Sequence, residues 1–90
     1  MSVSPAPDRR NAQRTLVSGR VEISFADPHP VTLDAELLDT SATGFRAAHT
    51  CKHLTPGLDV QFRRASCAGQ ARVVWTHVLA DRRVSGFILL

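Results

Sequence analysis

Three observations predict an all-β chain folded as a small six-stranded antiparallel β-barrel. Apolar residues recur at every second position in several segments; those segments are short and bounded by proline, glycine or charged turn residues; and no stretch carries the 3.6-residue period of an amphipathic helix. Ninety residues bury only about 60% of the unfolded surface, which supports one modest core. An apolar content of 43% is ordinary for a folded protein and argues against disorder.

Residues 1–8 contain Pro5 and Pro7 and read as a flexible lead, with the barrel domain spanning 9–90. A basic arm follows, Arg9-Arg10-Asn11-Ala12-Gln13-Arg14. Then Val17, Gly19, Val21, Ile23 and Phe25 alternate with Ser18, Arg20, Glu22 and Ser24, the pattern of a half-buried strand. Asp27-Pro28-His29-Pro30 breaks it, because proline cannot donate to a ladder. Val31, Leu33, Ala35 and Leu37 form the apolar side of the next strand. A turn centred on Pro28 pairs residue i with residue 56 − i, which brings Ile23 opposite Leu33 and Val21 opposite Ala35. Arg20 then faces Glu36 favourably, while Glu22 faces Asp34 unfavourably. Extended further, this register sets Asp39 opposite Val17, Ser41 opposite Thr15, and Gly44 near Ala12.

Gly44 to Ala48 reads as a short strand and His49 to Gly57 as a loop. Leu58, Val60 and Phe62 alternate in another strand, Ala71 to Val78 is β-rich with Trp75 as a core ring, and Val84 to Leu90 closes the chain. Phe25 and Phe62 fall on apolar faces.

The net charge of +3 is unevenly placed. Residues 1–20 hold four Arg and one acid, which makes +3; the other seventy hold seven basic and seven acidic residues, which cancel. The partner expected for the arm is therefore anionic. Ten of the eleven basic residues are Arg, whose planar fork suits phosphate and flat rings. Two cysteines, Cys51 and Cys67, make no disulfide framework and read as reduced thiols. The first eight residues lack an apolar signal core, and no apolar run approaches eighteen residues, so no membrane insertion and a cytoplasmic location are expected.

The most specific pattern is Asp39-Thr40-Ser41-Ala42-Thr43-Gly44. A D-x-S-x-x-G match arises only ~0.03 times by chance in a chain of this composition, whereas about one Arg pair four apart, here Arg10 and Arg14, is expected by chance. Order and spacing, with a hairpin between them, add the rest. The two segments resemble the R-x-x-x-R and D/N-x-S-x-x-G motifs of the PilZ domain, and the likeness extends through Val73-Val74-Trp75 to Gly86-Phe87. The resemblance implies a bacterial cyclic di-GMP receptor module in which Arg10, Arg14, Asp39, Ser41 and Gly44 contact the ligand, with Arg9 at a commonly basic neighbouring position. The C-terminal helix frequent in that family is expected to be missing here, since the last residues read as a strand.

The chemistry of these residues suits such a ligand. An Arg fork matches the O6 and N7 acceptors of guanine, and a carboxylate such as Asp39 can accept from its N1–H and N2 amino group. Ser41 can donate to a phosphate oxygen, and Gly44 permits close backbone approach. The resulting expectation is an adaptor that orders its arginine arm on binding cyclic di-GMP and signals to an effector protein, with a homodimer as a further option. One alternative is a small basic barrel that binds nucleic acid, although exposed rings for stacking are scarce and no specific nucleic acid is expected. Another is a protein-interaction module that binds no ligand. Catalysis is not expected, because Asp39 and Ser41 have no partnered His at a recognisable spacing. No metal or cofactor is expected: His49-Thr50-Cys51-Lys52-His53 lacks a standard ligand spacing, and His29 and His77 read as surface or strand residues.

Overall fold

A computed structural model describes residues 15–16, 19–26, 28–65 and 67–90. The 1–8 lead and the arm with Arg9, Arg10 and Arg14 lie outside these described residues. The described chain is all β: β1 (Thr15–Leu16), β2 (Arg20–Phe25), β3 (Val31–Thr40), β4 (Gly44–His49), β5 (Asp59–Arg64), β6 (Cys67–Val78) and β7 (Arg83–Leu89). Strands run in the order β3-β2-β5-β6-β7-β4, and β4 pairs back onto β3, which closes a six-stranded antiparallel barrel; β1 adds to β3 beside β2. Closure leaves the barrel strands without a free edge. Among the described residues there is no helix, and hence none long and apolar enough to cross a membrane.

The β2–β3 hairpin has the register set by alternation, with Arg20 opposite Glu36, Ile23 opposite Leu33 and Phe25 opposite Val31. Glu22 and Asp34 do face each other. Each finds a cation elsewhere: Arg63 on β5 reaches Glu22 at 2.8 Å, and Arg20 reaches Asp34 at 3.4 Å rather than Glu36. Glu36 instead accepts from Arg82 at 3.3 Å. These exposed pairs contribute roughly 0–1 kcal/mol each, enough to offset the like-charge opposition.

Inward-facing residues meet in one core. Phe45 stacks on Phe87 with ring centroids 4.7 Å apart and meets Phe62 at a tilt at 5.1 Å, and Val21, Ile23 and Val73 complete the centre. Leu54, from the 50–58 loop, is 1% exposed and caps one end of the barrel. The β3–β4 turn, β1 and the end of β7 lie at the other end, where Leu89 N–H donates to the Thr43 carbonyl at 2.8 Å.

Three irregularities interrupt the period of two. Four residue steps from Leu16 to Arg20 oppose three from Glu36 to Asp39, so Asp39 pairs with Leu16 and Thr40 with Thr15, one residue away from the register that the hairpin pattern projects. Gly19, at φ 139°, lies in this step and adopts a conformation that side chains disfavour. A second bulge at Leu38 lies between the Leu37–Ala47 and Asp39–Arg46 pairs. A third at Val74 lies between the Val73–Phe87 and Trp75–Gly86 pairs.

Candidate functional site

The bulges decide which side chains reach the outer wall. In β3 the odd residues Ala35 and Leu37 face the core, and uninterrupted alternation would drive Asp39 inward. The extra residue Leu38 turns Asp39 onto the outer side, opposite Arg46 of β4. In β6 the same logic applies to Trp75. Ala71 and Val73 are fully buried, and the expectation of a core ring follows from their parity. The Val74 bulge turns Trp75 outward instead, where it is half-buried and lies over Gly86; a Cβ on Gly86 would come within 2.3 Å of the indole. Since Arg46 also pairs with Gly86, Asp39, Arg46, Gly86 and Trp75 form one row across β3, β4, β7 and β6.

Asp39 is fully buried, and Oδ2 accepts from Arg46 Nε–H at 2.7 Å and from Arg46 Nη2. This bonding holds the Arg46 guanidinium above its ordinary pKa, so the cation is permanent. Removing Arg46 would take two charge-assisted bonds from a buried carboxylate, at a cost of about 1.5–3 kcal/mol. Both bonds end on Oδ2, so a guanine edge that approached Asp39 as foreseen would meet a carboxylate already held by Arg46.

Ser41 N–H donates to the Gly44 carbonyl at 2.9 Å and closes the β3–β4 turn. The Ser41 hydroxyl accepts from Thr43 N–H at 3.3 Å and lies 3.4 Å from Thr43 Oγ1 and 3.5 Å from the Gly44 carbonyl. These contacts are long and weak, and leave the hydroxyl able to turn to a stronger acceptor. Gly44 is required by the barrel itself. A Cβ there would sit 2.0 Å from the Phe87 carbonyl oxygen, so the close backbone approach it permits is that of β7.

Arg9, Arg10 and Arg14, the cationic half of the expected site, lie outside the described residues. Arg14 is nevertheless one peptide bond from Thr15, which pairs with Thr40 immediately before the turn. The described structure thus brings Asp39, Ser41 and Gly44 to one end of the barrel beside the start of β1.

Sequence reasoning missed a second polar cluster, at the opposite end. His49 ends β4 and is 5% exposed. Its Nδ1 accepts from Cys51 N–H at 3.0 Å, which places the ring proton on Nε2, and Nε2–H donates to Ser85 Oγ at 2.7 Å. Ser85 in turn donates to Thr76 Oγ1 at 2.7 Å, and Thr76 donates to the Leu54 carbonyl at 2.9 Å. Ser85 is fully buried, so this His–Ser pair ties the 50–58 loop to the wall and offers no hydroxyl to a substrate. Partners 36 and 9 residues apart leave no local signal. His29 and His53 touch edge to face at 5.4 Å, and among the described residues no group of three or more His, Cys, Asp or Glu gathers as a metal site. Cys51 and Cys67 are free thiols.

No family model matches the chain, and no curated protein matches it.

Proposed function

We propose that the chain is a regulatory module of the PilZ type, which binds cyclic di-GMP and passes the signal to an effector protein without performing catalysis. The observation that carries this reading is the junction at β1. Thr15 and Leu16 pair with Thr40 and Asp39, so the strand that directly follows the R-x-x-x-R segment in sequence lies beside the D-x-S-x-x-G turn. The barrel side supplies a hydroxyl at Ser41, the charged Asp39–Arg46 pair and, further along the same outer row, the flat face of Trp75. A dianionic ligand with two flat bases calls for cations, hydroxyl donors and a ring or guanidinium to stack on.

Charge-assisted hydrogen bonds contribute about 1.5–3 kcal/mol each, and four or five of them total roughly 6–15 kcal/mol before ordering costs of several kcal/mol. Micromolar affinity, near about −8 kcal/mol, is the expected outcome. Arg10→Ala and Arg14→Ala should each weaken binding at least tenfold in titration calorimetry with no loss of thermal stability. Unchanged affinity in both variants would remove the arginine motif from the site, and displacement of the ligand by excess oligonucleotide would redirect the reading to a general nucleic-acid surface.

A further inference from the structure

In the row Asp39–Arg46–Gly86–Trp75, the carboxylate is the least accessible member. The Asp39 side chain is 1% exposed, whereas that of Arg46 is 40% exposed. A guanidinium carries five N–H groups. Nε–H and one Nη2–H of Arg46 are spent on Asp39 Oδ2, and the remaining three have no partner among the described residues. Those three include the end-on pair from Nη1 and Nη2, the fork that fits two oxygens of one phosphate. Because the buried carboxylate holds Nε, the fork is fixed in direction before any anion arrives, which lowers the entropy lost on binding. Gly86, opposite Arg46 on β7, has no side chain to compete for that fork, and Trp75 lies beyond it.

We infer that Arg46 is the cation of the barrel wall that contacts a phosphate of the cyclic dinucleotide, and that Asp39 is its positioning residue rather than an acceptor for guanine. The inference rests on the receptor reading above and changes the roles within its site. An approaching ligand meets the guanidinium first, and the carboxylate acts by aiming it. Lys at position 46 would keep the charge and the contact with Asp39 but lose the fork.

The test combines titration calorimetry of cyclic di-GMP into the full chain with NMR of the arginine Nε–H signals. Arg46→Lys and the double variant Asp39→Asn/Arg46→Gln, which leaves no buried charge unpaired, should each bind at least tenfold more weakly. In the unaltered protein the Arg46 Nε–H signal should shift on saturation, a readout that does not depend on any variant folding. Asp39→Asn alone should lose about three- to tenfold, with the Arg46 signal already displaced before ligand is added. Unaltered affinity in either folded variant, or an Arg46 signal that stays fixed at saturating ligand, would overturn the inference and leave the receptor reading standing. Failure of the unaltered protein to bind at millimolar ligand would overturn both.

Discussion

Acidification tests the buried polar cluster most directly. Burial, with the nearby charge of Arg83, pushes the His49 pKa below its ordinary value of 6.5. A proton on Nδ1 would point at Cys51 N–H, donor against donor, and break the bond that anchors the 50–58 loop. The unfolded chain takes up this proton more readily than the folded one, so the contribution of His49 is fully present above pH 6.5 and is lost as pH falls through the folded pKa. The slope can reach about 1.4 kcal/mol per pH unit between the two values. At ~4–8 °C per kcal/mol for a domain of this size, the melting temperature should fall by roughly 6–11 °C per pH unit at the steepest point. The assay is a series of thermal melts from pH 7.5 to 5 on the natural sequence and on His49→Gln. The variant should start lower, by about 1–3 kcal/mol, because glutamine cannot satisfy both Cys51 and Ser85 with the same geometry. It should also lack the His49 component of the slope. Parallel pH curves for the two proteins would refute the reasoning.

Other consequences follow from single positions. Gly44→Ala sets a Cβ 2.0 Å from the Phe87 carbonyl oxygen, backbone that cannot rotate away, and should cost about 3 kcal/mol or more in chemical denaturation; a loss under 1 kcal/mol would contradict the packing described. Gly86→Ala collides with the Trp75 indole at 2.3 Å, so the ring should lift from the sheet and its fluorescence emission move to the red; an unchanged spectrum would mean that the ring does not rest there. Ala65 holds φ at 36° in the tight β5–β6 turn, and Ala65→Gly should stabilise the fold by about 0.5–1 kcal/mol, the relief of left-handed strain less the added freedom of the unfolded glycine.

The hairpin register was legible because alternation and the position of Pro28 leave one pairing that buries both apolar faces, and the pairs from Arg20–Glu36 to Phe25–Val31 obey it. The core position expected for Trp75 and the projected pairing of Asp39 with Val17 failed for one cause. A bulge shifts every later side chain by one face, and period-two reasoning assumes that none is present. Asp39 and Trp75 both carry the parity of core residues, and both reach the outer wall because Leu38 and Val74 are extra residues. The sequence does hold a trace of this: Leu37-Leu38 and Val73-Val74 are apolar doublets that break alternation, and Gly19 sits inside a strand pattern. The ion pair of Asp39 with Arg46 was beyond reach for the same reason, since unbroken alternation places the two on opposite faces. The tie of His49 to Ser85 and Thr76 depends on strands distant in sequence, which no local pattern encodes.

The bulges also give the site its economy. A carboxylate sent inward at position 39 would have faced the Phe45–Phe87 stack with no cation beside it. Turned outward, it fixes an arginine at the end of the barrel that β1 enters.

Titrating cyclic di-GMP into the purified chain at physiological salt, with the heat measured, decides whether the barrel is a receptor. A receptor should show saturable binding near micromolar affinity that falls at least tenfold when Arg10 or Arg14 is replaced by alanine. A flat titration at millimolar ligand would contradict it and leave the barrel without its proposed messenger.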